Sequence, residues 1–235
     1  MLSRCFGPAR KLLVAVAAFP EVEAVLRGLG SDEQPVREVW RDYKFESLTV
    51  LQTGVGKANA AGAVAAELVR AEGIRGPYEA VLALGIAGSY ADLPFGSVVF
   101  ADQAMLADEG VQAEGPFESL EKRGWSKTTF PVGQGEQPFF AELRAQATHV
   151  GGVATISCIS GTENLARAYS SRMSPAPLTE DMETAALACV CKRFDLPFAA
   201  LRVITNECGK GAWDAPLGFR KIEELVRQWG FSCIL

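Results

Sequence analysis

The chain has 235 residues, of which 49% are hydrophobic, and its formal net charge at pH 7 is −5. A chain of this length can bury a sizeable core, so residues 1–235 are expected to form one domain. The acidic balance argues against a surface for nucleic acids or anionic membranes, because both need clustered lysine and arginine. Small neutral or polar molecules remain as candidate partners.

The sequence contains six cysteines and a single histidine, His149. The cysteines form no CxxC pair, and a zinc site built from cysteine and histidine needs such spacing. We therefore expect no metal and no cofactor. We interpret the cysteines as free thiols in a reducing cytoplasm.

The first apolar run covers residues 12–18 and follows Arg4, Arg10 and Lys11, a pattern that fits a signal peptide as well as a buried strand. We favour the strand, because six cysteines without a disulfide framework do not suit a secreted protein. No apolar run approaches the ~18 residues that a membrane span needs.

A helix is predicted to follow this strand, with Pro20 in its first turn, where a missing N–H costs little. This places Glu21 and Glu23 at the carboxyl end of the strand. Acids in a first helical turn are ordinary, since they complement the helix dipole. Their position just past a buried strand nevertheless makes both of them candidate catalytic residues.

Strands and helices alternate along the rest of the chain. Strands are predicted at residues 47–52, 79–84, 96–101, 153–157 and 198–205, and helices at residues 58–72, 138–148, 184–191 and 216–229. This alternation predicts a three-layer α/β domain. Residues 112–135 show no clear periodicity, and they fit either a substrate-facing excursion or an irregular surface.

Two strand exits are rich in glycine. Residues 53–57, TGVGK, allow a tight turn and close approach to a ligand, but they lack the third glycine of a dinucleotide fingerprint and any Walker spacing. A plain strand-to-helix turn explains them equally well. Residues 85–90, GIAGSY, are expected to form a turn whose backbone N–H groups face a ligand, with the Ser89 hydroxyl beside them.

The most informative stretch runs from Glu180 to Trp213. Its acids open a predicted helix that is apolar on nearly every face, as a buried helix should be. A strand follows, and Asn206 closes it. Ligands of open α/β sheets lie beyond the carboxyl ends of the strands, so Asn206 and residues 181–183 are expected to share a pocket. A capping run of acids and a strand-ending asparagine are the alternative interpretation.

Six segments together resemble the nucleoside phosphorylase and nucleosidase superfamily. They are residues 53–57, 84–88, 96–99, 160–161, 181–183 and 202–206, in the family's order over most of the chain. The resemblance implies an α/β fold, a single three-layer domain with a central mixed sheet flanked by helices. Residues 107–111 and the stretch from Asn206 to Trp213 are most similar to the futalosine hydrolase branch, the nucleosidases of the alternative menaquinone pathway.

The resemblance implies a role for each matching residue. Glu183 would accept hydrogen bonds from the ribose hydroxyls, and Met182 would pack under the sugar. Asp181 stands where relatives often carry glutamate. Glu21 would activate the attacking water, a role that falls to Glu23 if the N-terminal alignment slips.

Four more positions follow from the same resemblance. Gly88 and Ser89 would lie near the ribose and the nucleophile, and Asn164 would follow the loop that lines the base pocket. Asn206 occupies the position at which methylthioadenosine nucleosidases carry an aspartate that can deliver a proton to N7 of adenine. An asparagine amide is no acid but offers a donor and an acceptor, which favours a 6-oxopurine such as hypoxanthine.

These roles imply hydrolysis of futalosine to hypoxanthine and dehypoxanthine futalosine, and they leave three alternatives. A purine nucleoside phosphorylase would need cations for phosphate; Arg202 is a candidate, yet residues 85–89 contain no arginine and Glu21 would repel an anion. A methylthioadenosine or adenosylhomocysteine nucleosidase is disfavoured by Asn206. A nucleoside-binding protein without activity is disfavoured because the chain retains Glu21, Glu183 and Asn206.

The resemblance also bears on partners. Relatives complete their pockets from a neighbouring subunit, which implies a homodimer or a larger homo-oligomer. The benzoate end of futalosine would need its own contacts, for which Arg172, Arg202, Lys210 and residues 112–135 are candidates.

Overall fold

The structure of the chain is a computed structural model that describes residues 11–71, 78–135 and 138–229. Its strands are β1 (Lys11–Val16), β2 (Arg41–Lys44), β3 (Leu48–Gln52), β4 (Tyr78–Ser89), β5 (Val98–Leu106), β6 (Gly110–Val111), β7 (Glu118–Ser119), β8 (Thr129–Pro131), β9 (His149–Thr155), β10 (Thr179–Asp181) and β11 (Phe198–Glu207). Its helices are α1 (Phe19–Gly28), α2 (Lys57–Arg70), α3 (Pro138–Gln146), α4 (Glu163–Ser170), α5 (Thr184–Arg193) and α6 (Ala215–Gln228).

Nine strands of the described residues form one sheet, in the order β10-β9-β5-β11-β4-β1-β3-β2, with β8 added beside β5. Parallel pairs join β3, β1, β4 and β11, whereas β11 and β5 are antiparallel. The predicted mixed sheet is therefore confirmed. Because β10 also pairs with β4, the strands β4, β11, β5, β9 and β10 close into a ring.

Helices cover both faces of this sheet. On one face, α1, α3 and α6 bury Val22, Phe139 and Ile222 against the strands. On the other face, α2 and α5 bury Val64 and Leu187. This arrangement confirms the three-layer prediction, and each of these buried side chains contributes roughly 1.5–3 kcal/mol of hydrophobic stabilisation.

Strand β4 is longer than the sequence predicts. The expected ligand-facing turn at residues 85–90 is wrong, because β4 continues to Ser89. The backbone of this segment is paired with β11 on one side and, at its end, with β10 on the other. Backbone groups paired in a sheet are not available to a ligand. The small residues of this strand instead make room for side chains from its neighbours.

Two short elements escape the sequence analysis. Glu180 and Asp181 lie in β10 rather than at the start of a helix, and α5 begins only after them, with Glu183 as its N-cap. Helix α4 follows directly on Thr162, whose side chain accepts a hydrogen bond from the first turn. The acids of β10 are thereby fixed in the sheet.

The first predicted strand and the segment without periodicity can both be compared with the structure. Strand β1 confirms the predicted first strand, whereas Arg4 and Arg10 lie outside the described residues. Within residues 112–135, β7 pairs with β6, and β8 pairs with β5. None of the helices in the described part of the chain has the length and hydropathy that crossing a bilayer requires.

Four cysteines in the described residues are free thiols: Cys158, Cys189, Cys191 and Cys208. Cys5 and Cys233 lie outside those residues. The described ranges also contain no group of three or more His, Cys, Asp or Glu side chains arranged to hold a metal ion.

Candidate active site

A cavity of about 250 Å³ lies where β1, β4 and β11 end and where β10 passes into α5. Six of the predicted site residues line it: Glu21, Gly88, Asp181, Met182, Glu183 and Asn206. The remaining walls are formed by Ala17, Ala18, Val55, Ile86, Ala87, Ile159, Glu180, Thr205, Trp213 and Phe219. This position follows the rule that ligands of α/β sheets lie beyond the carboxyl ends of the strands.

Glu21 is held in the cavity by the protein backbone. Its Oε1 atom accepts a hydrogen bond from the N–H of Ile86 at 2.8 Å, and its Oε2 atom accepts one from Ala18 at 2.8 Å. Burial raises the pKa of Glu21, an effect that these two hydrogen bonds and Arg202 only partly offset. A fixed carboxylate with a raised pKa is suited to accept a proton near neutral pH.

Glu23, the reserve candidate, lies on the surface. Its side chain is 44% exposed and pairs with Arg27 at 3.1 Å. Successive residues of a helix point in different directions, so the turn that buries Glu21 turns Glu23 outwards. The structure therefore brings only one of the two acids to the cavity.

Gly85 of β4 is the point at which two charged side chains meet. A Cβ atom at this position would lie 2.8 Å from Oε1 of Glu21 and 2.9 Å from Nη1 of Arg202. A Cβ atom at these distances would displace one of the two groups, both of which hydrogen bonds hold in place, so their close approach favours glycine here. Arg202 in turn is 3% exposed and lies beneath the cavity.

Asp181 connects Arg202 to the start of α5. Its Oδ2 atom accepts a hydrogen bond from Nε of Arg202 at 2.8 Å, and its Oδ1 atom accepts one from Thr155 Oγ1 at 2.7 Å. Thr184 donates to the same carboxylate from both its backbone N–H and its hydroxyl. With its acceptor positions taken by protein donors, Asp181 acts as a positioning residue for Arg202 and α5.

Glu183 is fixed by the glycine-rich loop of residues 53–57, which follows β3. Its Oε1 atom accepts a hydrogen bond from the N–H of Gly56 at 2.8 Å, and Gly54 and Gly56 both have positive φ angles. Burial first, and then the charge of Asp181, raises the pKa of Glu183 to about 8. The glycine loop therefore positions a buried carboxyl group, and Met182 lines the cavity beside it.

Asn206 lies at the other end of the cavity, next to Gly88. The two residues are cross-strand neighbours of β11 and β4, and a Cβ atom on Gly88 would lie 2.8 Å from Nδ2 of Asn206. Oδ1 of Asn206 accepts a hydrogen bond from Thr205 Oγ1 at 3.3 Å. No acceptor within the described residues takes the Nδ2 hydrogens, so they are available to a ligand.

Glu180 completes this end of the cavity and was not recognised in the sequence. It is 4% exposed, and its carboxylate accepts hydrogen bonds from the N–H and the hydroxyl of Ser160 and from the Tyr90 hydroxyl. In β10 it is paired with Gly88, on the side opposite to Asn206. In the sequence, the position of Glu180 beside two other acids suggests a helix cap, so it was not predicted as a site residue. Its place in the cavity follows only from the pairing of β10 with β4.

Apolar side chains separate the two polar ends. Ile86 and Phe219 line the inner part of the cavity, whereas Ile159 and Trp213 line its rim. Trp213, which is 51% exposed, is joined to Asn206 by an isolated β-bridge. A flat aromatic ring fits between such walls, with polar groups reaching its edge.

The comparison with known protein families agrees with this geometry. A model of the family described as the phosphorylase superfamily matches residues 14–228. The chain belongs to the phosphorylase superfamily.

Three curated relatives of the chain share one name, futalosine hydrolase. A protein of Acidothermus cellulolyticus named futalosine hydrolase is 30% identical over 234 residues, which cover 94% of this chain and 90% of that protein. A protein of the same name from Streptomyces coelicolor is 32% identical, and the match covers 86% of this chain and 87% of that protein. Another from Thermus thermophilus is 29% identical, and the match covers 80% of this chain and 84% of that protein.

Solved structures of the superfamily share the fold at low sequence identity. A methylthioadenosine/S-adenosylhomocysteine nucleosidase of Campylobacter jejuni is 16% identical, with a TM-score of 0.73 over 94% of this chain and 97% of that one. A futalosine hydrolase mutant of Helicobacter pylori is 19% identical, with a TM-score of 0.71 over 94% and 96% of the two chains. The predicted nucleoside phosphorylase-like fold is confirmed.

Two residues that the superfamily resemblance assigns to the site lie outside the cavity. Ser89 is buried behind the wall, where its hydroxyl donates to the backbone oxygen of Ala91 at 2.5 Å. Asn164 lies on the exposed face of α4, and its Oδ1 atom accepts a hydrogen bond from Arg167 at 2.6 Å. The structure does not bring either side chain to the ligand space.

The cations suggested for a benzoate group are likewise outside the cavity. Arg172 stacks on the ring of Phe117 at 3.8 Å and lines a separate surface depression. Lys210 pairs with Glu207 at 2.6 Å on the surface. Arg202 is enclosed by acids, as described above. Among the described residues that line the cavity, none is a lysine or an arginine.

Proposed function

We propose that the protein hydrolyses the N-glycosidic bond of futalosine and releases hypoxanthine and dehypoxanthine futalosine, a step of menaquinone biosynthesis. The relatives named futalosine hydrolase support this substrate. The observation that carries the proposal is the pairing of Glu21 at one end of the cavity with a free Asn206 amide at the other. These are the groups that a hydrolytic nucleosidase for a 6-oxopurine requires.

The reaction begins at the end of the cavity that holds Glu21. Its carboxylate accepts a proton from a water molecule as the water oxygen forms a bond to C1′ of the ribose. The bond between C1′ and N9 of the purine breaks at the same time, and its electron pair leaves with the base. Proton transfer of this kind typically contributes a factor of about 10²–10⁴ to the rate.

The ribose is held by the neighbouring carboxyl group. Glu183 accepts hydrogen bonds from the ribose hydroxyls, and Met182 packs under the sugar. These donors favour the ionised form of Glu183, whose pKa is raised by burial when no ligand is bound. The negative charges of Glu21 and Glu183 also favour the positive charge that develops on the sugar in the transition state.

The departing purine is stabilised at the other end. As the bond breaks, negative charge develops on the purine, and the Nδ2 group of Asn206 donates a hydrogen bond to N7 or to the 6-oxo group. A donor placed in advance where charge develops is worth about 2.7–4 kcal/mol in other enzymes. Because an amide releases no proton, the leaving base takes its proton from solvent water, and Glu21 then returns to the solvent the proton that it accepted.

A purine nucleoside phosphorylase is the weaker candidate. Phosphate would need a cation within the cavity, and Arg202 is already enclosed by Glu21, Asp181 and Glu183. The Glu21 carboxylate beside the nucleophile repels an anion but not water. This arrangement of charge favours hydrolysis.

We also propose that the protein acts in the cytoplasm as a homodimer or a larger homo-oligomer. A second pocket of about 790 Å³ shares Val55 and Met182 with the cavity, and Val55 is 49% exposed. A second subunit over this pocket would cover Val55 and enclose the ligand. Light scattering during size-exclusion chromatography is expected to give at least twice the monomer mass, and a monomer would contradict the proposal. Cell fractionation tests whether the protein is in the cytoplasm.

The substrate is tested by incubating the protein with futalosine, inosine and methylthioadenosine and separating the released purines by chromatography. We expect hypoxanthine from futalosine at a rate well above purine release from either of the other nucleosides. Preferential release of adenine from methylthioadenosine would contradict the proposed substrate.

A further inference from the structure

We infer that Glu180 reads the purine as well, by accepting a hydrogen bond from the N1–H group of hypoxanthine. The inference rests on the proposed function and extends it, because it assigns to this residue the choice between 6-oxopurines and 6-aminopurines. Neither the sequence comparison nor the resemblance to the superfamily gave Glu180 a role.

Glu180 is placed by strand pairing on the same side of the sheet as Asn206. Glu180, Gly88 and Asn206 are paired residues of the adjacent strands β10, β4 and β11. Directly paired residues project towards the same face of a sheet. The Cα atoms of Glu180 and Asn206 lie two strand spacings apart, about 10 Å. The space over Gly88 between them holds Nδ2 of Asn206 and Sγ of Cys208. Glu180 and Asn206 both line the cavity.

The hydrogen-bonding groups of Asn206 and Glu180 complement the edge of hypoxanthine. The amide of Asn206 presents donor hydrogens to N7 or the 6-oxo group, both of which are acceptors. The next atom along the ring edge of hypoxanthine is N1, which carries a hydrogen and needs an acceptor. A carboxylate that receives hydrogen bonds from all its neighbours acts only as an acceptor, which Glu180 does.

The Glu180 carboxylate can also accept a hydrogen bond from the base. A carboxylate offers about four acceptor positions. Ser160 and Tyr90 occupy three of those on Glu180, with two of the hydrogen bonds at Oε2 and one at Oε1. The fourth partner is the Cys208 thiol, which burial and Glu180 keep protonated by raising its pKa. A thiol is a weak donor, so the N1–H group of the base can replace it.

The same geometry disfavours adenine. N1 of adenine is an acceptor, and placed against the Glu180 carboxylate it would leave two acceptors facing each other. A buried group without its partner costs about 1–3 kcal/mol, and more when it is charged. Sites built to bond a polar substrate group discriminate strongly against analogues that lack it. Glu180 and Asn206 would thus select hypoxanthine from opposite sides.

The test measures binding of free bases by calorimetry, which requires no turnover. Wild-type protein is titrated with hypoxanthine and with 1-methylhypoxanthine, in which the N1–H donor is replaced by a methyl group. We expect methylation to weaken binding by roughly 10- to 100-fold, the loss of one hydrogen bond to a charged group. Equal affinity for the two bases would overturn the inference and leave the proposed function standing.

A variant separates hydrogen bonding from steric hindrance and from a structural role. Glu180→Gln has nearly the same shape, and its amide can donate to N1 of adenine. The ratio of the Kd for adenine to the Kd for hypoxanthine is expected to fall about tenfold or more. Equal weakening of both bases would show that Glu180 only holds Ser160 and Tyr90, and would overturn the inference. Glu163→Gln, an exposed glutamate in α4, is the matched control and should leave the ratio unchanged.

The outcome also separates this inference from the function on which it rests. Hypoxanthine that fails to bind wild-type protein at millimolar concentration would contradict the proposed function and the inference together. If Glu180→Gln does not fold, the comparison of the two bases on wild-type protein still decides the question.

Discussion

The two ends of the cavity are both built over a glycine of β4, and they differ in how their side chains are held. Over Gly85, Glu21 meets Arg202 in a network of buried charges, in which backbone N–H groups bind Glu21 and Asp181 pairs with Arg202. Over Gly88, the Asn206 amide keeps free hydrogens and opens towards the rim. The two glycines are three positions apart along the strand, a distance of about 10 Å.

This contrast suggests a division of labour. The end at Gly85 fixes the geometry of water and sugar, so changes there should lower the rate for every nucleoside. The end at Gly88 contacts only the base, so changes there should alter which purine leaves. Preorganisation of charge is costly to disturb, whereas a single hydrogen-bonding residue can be exchanged at smaller cost.

The largest expected effect is that of Glu21→Gln. The amide cannot accept the proton of the attacking water, so kcat should fall by about 10²–10⁴, with a similar factor for hypoxanthine and adenine nucleosides. Steady-state rates of purine release measure this. Glu23→Gln is the matched control and should keep the wild-type rate; a rate near wild type in Glu21→Gln would refute the role of Glu21 as the base.

Gly85→Ala tests whether the positions of Glu21 and Arg202 depend on the absence of a side chain at residue 85. The added methyl group would lie 2.8 Å from Glu21 and 2.9 Å from Arg202, both of which hydrogen bonds hold in place. We expect kcat to fall roughly 100-fold, as for a misplaced catalytic group, with about 1–3 kcal/mol lost from the free energy of unfolding. Gly115→Ala, which meets no atom within 4 Å, should behave as wild type.

Asn206→Asp tests the opposite end. An aspartate can deliver a proton to N7, so the ratio of kcat/KM for adenine to hypoxanthine nucleosides should rise about tenfold or more. The measurement compares futalosine with aminodeoxyfutalosine, its adenine counterpart. A ratio equal to that of the wild type would show that Asn206 does not read the base.

The smallest expected effect is the dependence of stability on pH. The pKa of Glu183 is raised from its ordinary value of 4.5 to about 8 in the folded protein, chiefly by burial. Between these values the folded state holds a proton that the unfolded chain releases, so the free energy of unfolding falls as the pH rises through this window. Its contribution is complete below the unfolded pKa and lost above the folded one.

Urea unfolding of the wild type and Glu183→Gln measures this dependence. The variant resembles the protonated residue, so it should match the wild type at pH 5 and exceed its stability at pH 9, by up to a few kcal/mol. Glu21, whose pKa is also raised, contributes a slope of the same sign to both proteins. Parallel pH profiles would contradict a raised pKa at Glu183.

The sequence predicted the layers and much of the site because those features depend on local pattern. Glu21 was found since a helix with proline in its first turn follows a buried strand, and Asn206 was found since it ends an apolar run. The order of such strand exits is enough to indicate a superfamily. It does not indicate where each side chain points.

The missed features depend on contacts between distant segments. Residues 85–89 have the composition of a turn, and only pairing with β11 and β10 makes them a strand. Glu180 has the sequence context of a helix cap, and the same pairing carries it to the cavity. Ser89 and Asn164 lie in β4 and α4, where the sequence predicted a turn and no helix, and their side chains bond to Ala91 and Arg167.

In the proposed reaction, Glu21 directs water, rather than phosphate, to the sugar. Hypoxanthine release from futalosine, followed by chromatography in phosphate-free buffer and again with phosphate added, tests it most directly. We predict the same rate in both buffers, with dehypoxanthine futalosine as the second product. Release that requires phosphate and yields a ribosyl phosphate would contradict the account.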